Sequence, residues 1–425
     1  MISRRMFALG GDQTKPSLAA ILLLLAAPAN AQVRSTIEPP RDTAAGQLEE
    51  DPYTRYELLE PASGKFRILY NVTAHDAGAT SYFNPIRNGS IASDERVTDL
   101  ATGKPLKFRI VSGKIARSAG LEDADENGEY LQVSLARPVP PNGGESRILI
   151  DKTYEDAKSY YRRGEMIIFE RPLGIDRNAV VLPRGYRLVS CNLPAQVLER
   201  PDGRYMISFW DISPAQAPLI LKAAPVWFAG SEKSSLPAER LEERASQTRE
   251  IVYLLQQPET HRFDLYHDYT EERHGVSTYV NVVRTGSQVS NPSGRNLDTG
   301  AALASRVVRG ADVAKLASDA KDTTSASEAV VFSFPAVPPG GSARLRFTET
   351  YTDPGNYRLS GDQLVWERSL GRAANTVVLP AGWVLTNSSA PAITSQLPDG
   401  RTRLDYINPR TDELEVLITA RRQSQ

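Results

Sequence analysis

Apolar residues in this chain recur at every second position. Leu131, Val133 and Leu135 alternate with polar neighbours, Ile148 and Ile150 are flanked by Arg147 and Asp151, and Leu414, Val416 and Ile418 step by two near the other end. A period of two puts one face of a strand in the core and the other in water, the habit of antiparallel sheets. Pro201-Asp202-Gly203 and Pro398-Asp399-Gly400 read as tight turns, with proline presetting φ and glycine supplying φ > 0. The proline-rich stretches 138–144 and 335–341 read as further connections. Many short strands without intervening helices predict an all-β chain of β-sandwich type.

The pattern repeats at an offset of 197 residues. Phe169-Glu170-Arg171-Pro172-Leu173-Gly174 returns as Trp366-Glu367-Arg368-Ser369-Leu370-Gly371, and Val180-Val181-Leu182-Pro183 as Val377-Val378-Leu379-Pro380. Between 160 and 204, 19 of 45 positions match their partner without a gap, against about three expected from average usage. The matches reach Tyr56, Phe66, Asn84 and Arg87, paired with Tyr253, Phe263, Asn281 and Arg284. A duplicated unit folds as a unit, so the repeat predicts two tandem sandwich units over 53–223 and 250–420 with their loop lengths preserved.

One segment breaks the strand pattern. Ser234, Ser235 and Pro237 resemble a helix start, and Leu241, Ala245, Thr248, Val252 and Leu255 form a stripe at helical spacing before Pro258. A helical connector is therefore expected, starting in the linker 224–249 and continuing to about residue 257. It is too short for a coiled coil.

The N-terminus carries an export signature. Arg4, Arg5 and Lys15 precede the apolar run Leu18 to Ala27, and Ala29-Asn30-Ala31 is a small-residue cleavage site. Residues 1–31 are expected to be a cleaved signal peptide, with a twin-arginine route open through Ser3-Arg4-Arg5-Met6-Phe7. A flexible tail is expected over 32–52 and a short one over 421–425, with no transmembrane segment in the mature chain. The protein is then periplasmic or secreted.

Charge narrows the partners. Removing the signal takes three cations and Asp12 with it, so the net charge moves from −1 to −3. That gives no electrostatic basis for nucleic-acid binding. The single Cys191 excludes an internal disulfide, and its repeat partner is Ser388. The four histidines (His75, His261, His267, His274) find no histidine at their partner positions, and the common hydrolase, nucleotide and metalloprotease motifs are missing.

Two groups of residues remain as candidate chemistry. Asp123, Asp125 and Asn127 carry the first half of a calcium loop, with Ser134 where the bidentate Glu would stand, and calcium is the one cofactor with any support. The polar positions kept in both copies are the second group: Tyr154, Asp156, Tyr160, Glu170 and Arg171, with Tyr351, Asp353, Tyr357, Glu367 and Arg368. The carboxylates Glu170 and Asp156, or Glu367 and Asp353, could form a glycosidase pair about 5–10 Å apart. The tyrosines and arginines could make a sugar-binding patch, or simply fix loop crossings.

Leu135-x-x-Pro138-Val139-Pro140-Pro141-x-Gly143-Gly144, followed by an alternating strand and a tyrosine, resembles the β-sandwich that precedes the catalytic domain in some aminopeptidases. The resemblance carries no functional motif and implies fold alone. The residues together favour an exported, non-catalytic protein that binds a protein or glycan partner in the cell envelope. The alternative is a carboxylate-dependent, glycosidase-like hydrolase of an envelope or extracellular polymer.

Overall fold

The computed structural model describes residues 49–211, 216–226, 241–247, 249–316 and 327–423. The expected signal peptide, the tail as far as residue 48, linker residues 227–240 and the last two residues lie outside the described residues.

The first half contains β1 (Glu49–Leu58), β2 (Lys65–Ala74), β3 (Ser81–Ile86), β4 (Ile91–Asp99), β5 (Lys104–Pro105), β6 (Phe108–Ser112), a short helix α1 (Gly113–Ser118), β7 (Glu129–Ser134) and β8 (Ser146–Glu155). It continues with β9 (Tyr160–Arg163), β10 (Met166–Leu173), β11 (Arg177–Val181), β12 (Tyr186–Cys191), β13 (Gln196–Glu199), β14 (Tyr205–Trp210) and β15 (Ala217–Pro225). The second half contains β16 (Glu250–Leu255), β17 (Arg262–Glu271), β18 (Thr278–Val282), β19 (Gln288–Asn296), β20 (Ala304–Arg309), α2 (Ala311–Leu316), β21 (Glu328–Ser333) and β22 (Ala343–Thr352). It closes with β23 (Tyr357–Ser360), β24 (Gln363–Leu370), β25 (Ala374–Val378), β26 (Trp383–Ser388), β27 (Ile393–Gln396), β28 (Thr402–Ile407) and β29 (Leu414–Arg422). Among the described residues no helix is long and apolar enough to cross a membrane.

Each half has one large sheet covered by two smaller ones. The large sheets run β13-β14-β11-β1-β2-β8-β4-β5 and β27-β28-β25-β16-β17-β22-β19, the same order apart from the small β5. The contacts β1–β11 and β16–β25 are parallel, whereas β2 pairs antiparallel with both β1 and β8. The covering sheets are β12-β15-β10-β9 and β3-β7-β6 in the first half, β26-β29-β24-β23 and β18-β21-β20 in the second. Period-two burial builds the core between layers. Phe66, Ile68, Tyr70 and Val72 of β2 face Ile167 and Phe169 of β10, Leu219 and Leu221 of β15, and Leu131 and Val133 of β7. Phe66 meets Phe169 edge-on at 5.2 Å between ring centroids, a geometry worth about 0.5–1.5 kcal/mol beyond burial alone.

The connector helix is not what the described residues contain. Residues 250–255 are β16, and Val252 and Leu254 enter one apolar cluster while Tyr253 and Leu255 enter another. A run buried on both faces is the mark of a central strand beside a parallel neighbour, and over so few residues it also satisfies helical spacing. Residues 241–247 carry no helix. Their backbone is used otherwise: the Arg177 guanidinium donates to the carbonyls of Ala245 and Gln247, and Tyr53 donates to the Glu243 carboxylate. β1 also begins at Glu49, inside the expected tail.

The offset of 197 links Lys65 to Arg262, Ser146 to Ala343 and Ala217 to Leu414, but it does not hold throughout. Phe108 pairs with Val133, whereas Ser305 pairs with Phe332, so β7 and β21 are related by 199 residues. The slip is two residues, which leaves every inward side chain facing inward; a slip of one would have inverted the strand.

The halves meet through matched surfaces. Arg147 donates to both carboxylate oxygens of Asp298 at 2.8 Å, and to Ser342 Oγ at 3.0 Å. Ser342 Oγ donates to the Leu100 carbonyl at 2.8 Å, and Glu145 N to the Leu297 carbonyl at 2.7 Å. Leu100 and Leu297 are repeat partners, as are Glu145 and Ser342, so one patch meets its own counterpart as in an isologous dimer. Gly103, at φ +69°, fits because a Cβ there would stand 2.4 Å from the Gly340 carbonyl oxygen.

Candidate functional site

The polar residues kept in both copies form a cage. Arg171 points inward from β10, its guanidinium carbon 6.0, 5.5 and 5.6 Å from the rings of Tyr56, Phe66 and Tyr154. Asp156 lies 3.3 Å from Arg171 Nη1. Burial pushes the Asp156 carboxyl up, but the hydroxyl and amide of Ser159, the amide of Lys158 and the Arg171 charge hold it below the usual range. The second half repeats the arrangement, with Arg368 at 5.2, 5.1 and 5.6 Å from Tyr253, Phe263 and Tyr351, and 3.5 Å from Asp353. Tyr160 and Tyr357 tie loops down by donating to the carbonyls of Leu59 and Gln256.

The acids are not brought together. Successive strand residues face opposite ways, so Arg171 turns inward to Asp156 while Glu170 is exposed and accepts from Tyr161 at 2.9 Å. Glu367 pairs with Arg358 at 3.0 Å, and Asp353 is buried beside Arg368. In the acidic loop, Asp123, Asp125 and Asn127 are exposed, and Asp125 Oδ1 accepts from the Asn127 amide at 3.0 Å. Among the described residues no group of three His, Cys, Asp or Glu is arranged to hold a metal. His267 is buried among Tyr269, Tyr279 and Phe347, where desolvation keeps its pKa well below the usual value. Burial pushes the Cys191 thiol up.

A cleft of about 930 Å³ opens over the inner face of β1, β2 and β8, lined by Tyr56, Asn84, Arg87, Lys152, Arg171 and Gln216 among others. Lys152 is its deepest charge, only 4% exposed. Its Nζ donates to Asn84 Oδ1 at 2.5 Å and sits 4.8 Å from the centre of the Tyr154 ring. Burial, assisted by the Arg171 charge, pulls the ammonium pKa down to about 8. Among the described residues no carboxylate lies within ion-pair distance of it. The Arg87 guanidinium lines the same cleft, and burial lowers its pKa too.

The second half differs at these positions. Glu349 stands where Lys152 would be, fully buried and accepting from Asn281 Nδ2 at 2.7 Å; burial raises its pKa to about 7. Arg284, the partner of Arg87, donates to the Ser369 hydroxyl at 3.0 Å and carbonyl at 3.2 Å. The first half has Pro172 in place of Ser369 and offers no such hydroxyl. The expectations from sequence passed over Lys152, although its parity with Ile148, Ile150 and Tyr154 places it on the buried face of β8.

No family model and no curated protein matches the chain. Among solved structures, a two-domain M1 zinc metallopeptidase mutant bound to L-tryptophan is similar over 43% of each chain, at 11% identity and a TM-score of 0.29. An M1 zinc metallopeptidase mutant from Deinococcus radiodurans, bound to a Tyr-Ser-Ala substrate, is similar over 41% of each chain at 11% identity and a TM-score of 0.27. The collagen adhesin of S. aureus is similar over 77% of this chain and 87% of its own, at 8% identity and a TM-score of 0.15. The chain thus spans less than half the length of either peptidase, and likeness at these scores bears on neither activity nor partner.

Proposed function

We propose that this chain is an exported, non-catalytic binding protein of two tandem β-sandwich units, acting in the periplasm or outside the cell on a protein or glycan partner. The observation that carries the reading is the cleft of the first half, where Lys152 and Arg87 line a concave surface without a paired carboxylate among the described residues. A site built for carboxylate catalysis needs two acids converging on one bond. Here Asp156 is engaged by Ser159 and Arg171, and Glu170 is exposed on the other face of its strand. The cleft volume falls in the range of about 300–1,000 Å³ typical of small-ligand sites.

The test incubates the full chain with envelope glycans and peptides, following heat of binding and the integrity of the ligand in parallel. Saturable binding with the ligand recovered intact is expected. Release of new reducing ends or new amines would replace this reading with the hydrolase. Fusing residues 1–31 to a reporter that is active only after export tests the location.

A further inference from the structure

The buried lysine narrows the ligand class. An ammonium removed from water without a counter-charge is costly. Lys152 has three protons to donate, and among the described residues only Asn84 receives one. Packing does not demand a cation here, because the second half keeps the same asparagine and places Glu349 opposite it. Arg87 is similarly left over: its partner Arg284 is spent on Ser369, and Pro172 denies Arg87 the equivalent hydroxyl. Arg171 is paired with Asp156, and what remains of its positive field is still felt at Lys152 and Arg87. The cleft therefore presents two cations that form no ion pair among the described residues, with Glu95 and Asp156 acting on them only at longer range.

The remaining lining is neutral and suited to hydroxyls. Thr54, Asn84 and Gln216 offer hydrogen-bonding groups. A ligand rich in hydroxyls and carrying one negative group matches both features. We propose that this cleft binds an acidic saccharide, with a uronate carboxylate held by Lys152 and Arg87. The proposal rests on the binding reading above and supplies its ligand class.

The experiment titrates the full chain with an oligogalacturonate, with its fully methyl-esterified form, and with a peptide ending in a free carboxylate, by calorimetry at pH 7. The acid saccharide is expected to bind, and esterification to weaken it by about tenfold or more, the scale of a lost charge-assisted hydrogen bond. Lys152→Met and Arg87→Gln should each give a similar loss while the thermal transition remains cooperative. The Arg87 variant keeps the test open if the Lys152 variant folds poorly. Equal affinity for acid and ester overturns the proposal but leaves a binding protein standing. So does tight binding of the peptide alone, lost on amidating its terminus. Undiminished binding by both variants moves the ligand out of this cleft. Depolymerisation of the probe would instead overturn the binding reading itself.

Discussion

Lys152→Met removes the buried charge and keeps an unbranched side chain of similar length. The folded pKa of about 8 lies below the ordinary 10.5, with burial the largest cause. Between those values the unfolded chain binds more protons than the fold, so wild-type stability rises with pH across the window. Below pH 8 the whole penalty is present, and 2.5 units at 1.36 kcal/mol each amount to about 3 kcal/mol. Methionine carries no such penalty. It also strands Asn84 Oδ1 at a cost of about 1–3 kcal/mol, but that cost does not depend on pH. The clean observable is the change in ΔΔG between pH 7 and pH 10, measured by urea unfolding of both proteins. Wild type should gain about 2–3 kcal/mol relative to the variant over that interval. An identical ΔΔG at the two pH values would mean the ammonium is compensated in the folded chain. The case for a missing anionic ligand would fall with it.

Three further outcomes follow from the buried polar groups and the junction. Glu349→Gln should flatten the pH dependence between 4.5 and 7. The acid's folded value of about 7 lies above its unfolded 4.5, so its stability is full below 4.5 and lost as pH rises through 7, by about 3 kcal/mol. Glu145, also raised to about 7, and His267, held well below its usual value with the opposite slope, titrate alike in both proteins, so the difference in stability between wild type and variant, from unfolding across that range, isolates the Glu349 contribution. Asp298→Asn strands the buried Arg147 and should cost about 3–5 kcal/mol in thermal unfolding; an unchanged midpoint would show that the ion pair does not hold the halves together. Gly103→Ala forces a Cβ to 2.4 Å from the Gly340 carbonyl, whereas at Gly89, of similar positive φ, nothing lies within 4 Å. The alanine at 103 should therefore destabilise well beyond the ~1 kcal/mol of backbone strain expected at 89, and limited proteolysis should find the halves more readily separated.

Much of the fold was legible because strand periodicity is a local property. Leu131 and Val133, or Val416 and Ile418, report an inward face without reference to anything distant. The misreadings have equally physical origins. Ile251-Val252-Tyr253-Leu254-Leu255 is apolar on both faces, and such a run fits helix or central strand until its parallel neighbour is known. The slip between β7 and β21 was invisible because a loop absorbs two residues at little entropic cost, and an even shift preserves the hydrophobic pattern. The junction could not be read at all. Arg147 and Asp298 are distant in sequence, and nothing local to either names the other.

The repeat also misdirected the search for a site, for a reason that bears on the function. Positions identical in both copies looked like the place for shared chemistry. Tyr56, Phe66, Tyr154, Asp156 and Arg171, with their partners, instead form a cation enclosed by three rings and pinned by one acid. Such a cage is used up by its own contacts and has little left to offer a ligand. Constraint on folding acts equally on both copies, so it preserves such residues in pairs. A ligand needs only one competent cleft, and nothing requires the other half to present the same charges. Glu349 in place of Lys152, and Arg284 turned onto Ser369, leave the second half without those two cations. The charge that distinguishes the first cleft therefore sits where the copies disagree. Converting Glu349 to Lys while Ser369 becomes Pro should open a second cationic cleft and double the binding stoichiometry in calorimetry, whereas unchanged stoichiometry would mean that the remaining differences, such as Arg372 for Ile175, also close it.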